Sequence, residues 1–209
     1  MDNISIIYIG DETTMGVGSI QSNWTSLVDN YIKSVYRQEN LDSYISYNLS
    51  VYKNDTTRFL KDSQITEIKK RMIPGYKTIV VLNLGLWDSV YKKDKKDNMI
   101  KMSFFADNYR KILDSLESFD KILAITPIIY HEKEETNNDD FVFKNQDILR
   151  YSIEIENITK EYNVPCLNFS KNFTLKDKDT YNGIYPNTMG HHYIADKILD
   201  FLKENIDFS

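Results

Sequence analysis

Apolar positions along this chain alternate between two spacings. Ile4 to Ile9 is a near-continuous apolar run, the pattern of a strand buried on both faces. Trp24, Leu27, Val28, Tyr31, Ile32 and Val35 then recur at helical spacing, with Ser22 or Asn23 placed to cap them. Tyr44 to Leu49 alternates apolar and polar and reads as a second strand. Helical spacing returns from about Thr56 to Met72 and stops at Pro74-Gly75. Thr78 to Leu84 is a third, fully buried strand. Met99, Met102, Phe105, Ala106, Tyr109, Ile112, Leu113 and Leu116 form the cleanest amphipathic helix. A methionine and aromatic stripe of that kind is core rather than a ligand box. Lys121 to Thr126 is a fourth strand closed by Pro127, followed by a helix over Asn145 to Tyr162. A fifth strand, Val164 to Phe169, and a last helix, Thr188 to Glu204, complete the pattern.

Strand and helix in alternation through five units predict a parallel sheet with helices on both faces. The expected class is α/β, a three-layer α/β/α sandwich with five strands in flavodoxin-like order. Residues 1–209 are expected to form a single domain, with no repeat or linker between parts. Two stretches stand outside the pattern. Tyr91 to Asn98 carries Lys92, Lys93, Asp94, Lys95, Lys96 and Asp97 and reads as a solvated turn. His131 to Asp140 is a polar excursion in which His131 has Glu132, Glu134 and Glu135 nearby.

Composition narrows the classes further. A formal charge of −5 leaves no electrostatic footprint for nucleic acid or an anionic membrane. One cysteine, Cys166, rules out a disulfide scaffold, and its apolar strand makes it inert. No apolar run approaches the roughly 20 residues of a membrane span. The first residues run into a strand rather than a signal peptide, so a soluble cytoplasmic protein is expected. No cofactor and no metal site is expected. His191 and His192 are adjacent on a helix and point about 100° apart, so they cannot chelate one ion together.

The chemistry-bearing residues gather where apolar strands end. Gly10-Asp11-Glu12-Thr13-Thr14-Met15-Gly16 follows the first strand, and Leu84-Gly85-Leu86-Trp87-Asp88 closes the third. Asn182-Gly183-Ile184-Tyr185-Pro186-Asn187 precedes the last helix. Open α/β sheets bind ligands at such strand ends. In this order the blocks resemble the SGNH (GDSL-like) hydrolase family, whose first block reads Gly-Asp-Ser, third Gly-x-Asn-Asp and last Asp-x-x-His-Pro. Asn48 to Thr56 resembles the second block, with Lys53 at the glycine that supplies an oxyanion-hole N–H. The resemblance covers Ile6 to Leu202 and includes Trp24 at the opening of the first long helix, Ala124-Ile125-Thr126-Pro127, and Gly190-His191, in which the family's histidine is structural.

The scaffold residues agree with the family and the reacting ones do not. Glu12 stands at the nucleophilic serine, Trp87 at the oxyanion-hole asparagine, Asn182 at the aspartate and Tyr185 at the histidine. Ester hydrolysis of this type needs a hydroxyl, a base and oxyanion donors. Glu12 has no hydroxyl, and a phenol with a pKa near 10 is a poor base at neutral pH. The resemblance therefore implies a hydrolase fold without its hydrolase, a non-catalytic protein that binds a partner or a small carbohydrate or acyl ligand. The alternative is a residual or repurposed esterase or acyltransferase built on Asp11, Glu12, Asp88 and Tyr185. The expected cleft comprises Asp11, Glu12, Lys53, Trp87, Asp88 and Tyr185, with Lys53 pairing the Glu12 carboxylate and Trp87 filling former substrate space. Asp11 and Asp88 are expected to hold loop geometry.

Overall fold

The computed structural model describes residues 2–38, 44–130, 136–138 and 140–208. Its central sheet has five parallel strands: β1 (Ile4–Gly10), β2 (Tyr44–Asn48), β3 (Lys77–Asn83), β4 (Lys121–Ile125) and β5 (Cys166–Leu167). They lie in the order β2-β1-β3-β4-β5, the flavodoxin-like arrangement. β1 and β3 are buried almost throughout because side chains leave a strand alternately to each face and both faces are covered. On one face Ile4, Ile6, Tyr8, Val81 and Leu123 meet α2 (Trp24–Gln38) and α9 (Thr188–Asn205). On the other, Ile7, Ile9, Val80 and Leu82 meet α3 (Thr56–Lys61), α4 (Gln64–Lys69), α6 (Met102–Leu116) and α7 (Asn145–Glu161). Three further helices of one turn each, α1 (Glu12–Met15), α5 (Leu86–Ser89) and α8 (Phe169–Asn172), leave the C-terminal ends of β1, β3 and β5.

Three local departures from the hydrophobic pattern have physical causes. The expected helix over Thr56 to Met72 breaks into α3 and α4 at Asp62-Ser63, where Ser63 takes a left-handed φ of 56°. The bend lets Phe59 and Ile68 both enter the core, and it brings Gln64 against Asn54. Their side-chain amides exchange hydrogen bonds of 3.1 and 2.9 Å. The charged stretch Tyr91 to Asn98 is a β-hairpin rather than a plain turn. Tyr91–Lys92 pairs antiparallel with Asp97–Asn98 on one side and Phe141–Val142 on the other. β5 is only two residues long, because Asn168 turns the chain outward by capping α8 through Ser170 N–H at 3.0 Å. His131, Glu132, Glu134 and Glu135 lie outside the described residues. Among the described residues no helix is long and apolar enough to cross a membrane.

Candidate functional site

Four chain segments converge on Glu12. Gly10 ends β1 so tightly that a Cβ there would sit 2.1 Å from Thr14 Oγ1 and 3.0 Å from the Asn83 carbonyl. The chain can therefore turn at once into α1, which Asp11 caps by accepting Thr13 N–H at 2.9 Å. Thr14 Oγ1 pairs with Asn83 Oδ1 at 3.0 Å and ties α1 to the end of β3. Glu12, the first residue of α1, is thereby driven inward and is fully buried.

The other three segments supply donors. Beyond β3, Gly85 adopts a left-handed φ of 116° and starts α5, which carries Trp87 over Glu12. The indole Nε1–H donates to Glu12 Oε2 at 2.6 Å. The loop after β2 is held to the end of β1 by Val51 N–H and Asn54 Nδ2, which both donate to the Gly10 carbonyl, at 3.0 and 3.1 Å. Lys53 in that loop has a left-handed φ of 54°, and its backbone N–H donates to the same Glu12 Oε2 at 3.0 Å. A hairpin turns through Asn182 and Gly183, both at positive φ, and returns Tyr185. Its hydroxyl reaches Glu12 Oε1 at 3.3 Å. A buried carboxylate is costly unless charge-assisted hydrogen bonds compensate it, and here each oxygen has a donor.

The neighbouring carboxyls respond to the same burial. Burial first, and then the Glu12 carboxylate, push Asp11 up to about 8, so Asp11 is mostly protonated at neutral pH. Burial pushes Asp88 up to about 7 against the Thr56 bonds that favour its ionised form. Asp88 accepts the Thr56 hydroxyl at 2.6 Å and its N–H at 3.1 and 3.2 Å, which fixes the start of α3.

Outside the Glu12 carboxylate lies a cleft of about 240 Å³ walled by Trp87, Tyr185, Phe141 and Phe143, with Tyr52, Lys53, Tyr181, Asn182 and Val17 also lining it. Lys53, Trp87, Asn182 and Tyr185 thus come together as the sequence blocks imply, whereas Asp11, Glu12 and Asp88 are buried and do not line the opening. The Lys53 ammonium does not reach Glu12. It sits 4.9, 5.0 and 5.4 Å from the ring centres of Phe141, Trp87 and Tyr52. Phe141 and Phe143 each meet Trp87 edge to face, at 5.9 and 5.4 Å. Sequence reasoning missed these two, although Phe141-Val142-Phe143 is a short run of β-forming apolar residues.

The remaining candidates are structural. His191 Nδ1 accepts Trp24 N–H at 3.4 Å and its Nε2 meets the Val17 carbonyl at 3.2 Å. Burial lowers its pKa, which favours the neutral ring those contacts need. His192 is exposed. Burial pushes the Cys166 thiol up to about 11. No group of side chains suited to hold a metal occurs among the described residues.

No protein-family model matches this sequence, and no curated protein does. Solved structures do match in shape. An acetylxylan esterase from Geobacillus stearothermophilus superposes with a TM-score of 0.72 at 15% identity, covering 100% of this chain and 98% of that one. A variant of an acetyl-xylooligosaccharide esterase from the same organism gives 0.73 at 14% identity, covering 99% and 96%. A further acetyl xylan esterase gives 0.68 at 20% identity, covering 94% and 98%. At such identities the likeness establishes the fold: this chain has the SGNH-like hydrolase fold that these esterases share.

Proposed function

We propose that this protein is a non-catalytic relative of the ester hydrolases that share its fold, and that it binds a small carbohydrate in its aromatic cleft without cleaving it. One observation carries the reading. The Glu12 carboxylate occupies the position where donors from Lys53, Trp87 and Tyr185 converge, and it satisfies them itself. Donors held this way would otherwise receive the oxyanion of a reacting ester. With a carboxylate in place of a hydroxyl, the site has neither a nucleophile to acylate nor a vacant anion cradle.

The cleft outside has the chemical make-up of a receptor. Aromatic walls with a few polar groups are the usual make-up of small-molecule sites, although about 240 Å³ is small for one. It has room for about one sugar ring. The solved relatives act on acetylated xylan or xylo-oligosaccharides, which makes deacetylated xylo-oligosaccharides the natural first probe. A carboxylate chemistry shared by Glu12, Asp88 and Tyr185 is less well served, because Asp88 is committed to Thr56 and both Glu12 oxygens are occupied.

Three assays test the proposal. Acetylated xylo-oligosaccharides and simple acetate esters should be left intact and fluorophosphonate should label nothing, while titration with xylo-oligosaccharide should perturb Trp87 fluorescence. Turnover that survives purification and disappears in Glu12→Ala would replace this reading with a carboxylate mechanism.

A further inference from the structure

The cleft carries one formally charged side chain among the residues that line it, and that charge is positive. Lys53 makes no ion pair with the carboxylate beneath it, since Glu12 takes the backbone N–H instead. Its ammonium lies over Phe141, Trp87 and Tyr52. Cation–π contacts use the charge of an ammonium but not its three hydrogen-bond donors. Among the described residues, no carboxylate lies within ion-pair distance of it.

A second observation points the same way. Residues 91–98, the hairpin paired with the strand of Phe141, carry Lys92, Lys93, Lys95 and Lys96 against Asp94 and Asp97, four minus two or +2, on a chain of net charge −5. The two aspartates are engaged by Lys92 at 3.1 Å and Lys101 at 3.6 Å. Lys93, Lys95 and Lys96 are exposed and close no ion pair among the described residues. Lys92 stands directly opposite Phe141 in the antiparallel ladder, so both leave the same face of the hairpin. The hairpin thus sets a net positive stretch next to the strand that carries Phe141, partly offset by the exposed Asp140, and favours the approach of anionic ligands on that side. The rings of Tyr52 and Tyr181, 56% and 58% exposed, flank the opening and offer faces on which a sugar ring can stack.

We propose that the ligand of this cleft is a carboxylate-bearing saccharide, a uronic acid unit whose ring rests on the aromatic wall and whose carboxylate pairs with the Lys53 ammonium. This rests on the carbohydrate reading of the cleft and names the class of sugar. Lys53 would exchange contacts with rings for a charge-assisted hydrogen bond, and the lysines of the hairpin would speed encounter rather than hold the ligand.

The experiment compares xylotriose with glucuronic-acid-substituted xylotriose, read by intrinsic fluorescence and by amide shifts in the full-length protein. The acidic sugar should bind at least about tenfold more tightly at low salt, and the preference should shrink markedly at about 0.5 M salt. Lys53→Met should lose the preference between the two sugars, and Lys53→Arg should keep it. Equal affinity for the two sugars, unchanged by Lys53→Met, overturns the uronate assignment and leaves the carbohydrate reading standing. Binding of neither sugar by the folded protein overturns both. Competition by acetate as effective as by glucuronate would make the site a simple carboxylate receptor and overturn its saccharide character.

Discussion

The indole of Trp87 donates a 2.6 Å hydrogen bond to the carboxylate of Glu12, across 75 residues of sequence and between the ends of adjacent strands. The bond ties the turn after β1 to the turn after β3. An indole N–H is a donor only and a carboxylate an acceptor only, so the two residues are chemically complementary. Neither would be comfortable alone. A buried carboxylate facing an apolar ring edge would lack compensation, and a buried indole N–H without an acceptor would carry a desolvation cost of about 1–3 kcal/mol. Lys53 N–H and Tyr185 O–H complete the cradle.

Removing the carboxylate should therefore cost more than lost packing. Glu12→Ala leaves the Lys53, Trp87 and Tyr185 donors facing a void, with an expected loss of about 2–4 kcal/mol. Glu12→Gln keeps the shape and one acceptor and should cost less, about 1–2 kcal/mol. If the cradle recognises a carboxylate as such, acetate should raise the melting temperature of Glu12→Ala progressively, with the logarithm of its concentration above Kd, and leave the parent unmoved. Thermal melts in acetate and in chloride at matched ionic strength decide this. A Glu12→Ala protein as stable as the parent would mean the carboxylate is not held as described.

Lys53 and Glu12 should couple weakly through their side chains. The contact between them is a backbone N–H, which Lys53→Met retains, and the ammonium is over three aromatic rings. In a double-mutant cycle of Lys53→Met with Glu12→Gln, the coupling should stay below about 0.5 kcal/mol. Coupling above roughly 1 kcal/mol would show that the ammonium and carboxylate pair in solution, as the sequence alone leads one to expect.

The strands that position this site were plain in the sequence because they are buried on both faces. Ile4 to Ile9 and Thr78 to Leu84 leave no doubt about period, and their ends locate Glu12 and Trp87. What was hidden depends on backbone geometry or on long-range company. That Lys53 reaches Glu12 by its N–H follows from a left-handed φ of 54°, the conformation for which a glycine is the usual residue. Nothing in a lysine codon announces it. The break at Ser63 goes with Gln64 meeting Asn54, a pairing invisible to helical periodicity. The charges of Lys93 to Lys96 masked a hairpin because only its tip is charged and exposed. The strand that docks it, Phe141–Val142, lies over 40 residues further on.

Gly10 should not tolerate a methyl group. An alanine Cβ would overlap Thr14 Oγ1 at 2.1 Å and press the Asn83 carbonyl at 3.0 Å, so α1 would have to shift. Because Glu12 begins that helix, the shift would pull its carboxylate away from Trp87. Gly10→Ala should cost about 1–3 kcal/mol as an overpacking change and should alter Trp87 fluorescence as well. A variant with the parent's melting temperature and emission spectrum would mean that the strand end has more room than the structure shows.

Stability should fall as pH rises from about 5 to 8.5. Asp11 and Asp88 have folded-state values of about 8 and about 7, both raised mainly by burial. In the unfolded chain these carboxyls titrate near the usual value of about 3.9. Between the two values the folded protein holds protons that the unfolded chain has released. The stabilisation from a raised pKa is complete below the unfolded value and is lost as pH climbs through the folded one. Each group can contribute a slope of at most about 1.4 kcal/mol per pH unit, ending near its own folded value. The carboxylates of Glu67, Asp94, Glu156 and Glu161 are shifted downward by their cationic partners, so their opposing contribution is confined to pH below about 4.5. His191, lowered by burial, also opposes the decline up to its unfolded value near 6.5, one rising slope against two falling ones. Urea midpoints at pH 5, 7 and 8.5 should therefore decline in that order. Asp88→Asn keeps an acceptor for the Thr56 hydroxyl and removes one titrating group, so its decline between pH 5 and 7 should be visibly shallower even if the variant is less stable overall. A midpoint that is flat or rises over this range would show that these carboxyls ionise in place at ordinary pH. A slope unchanged in Asp88→Asn would assign the effect to Asp11 alone.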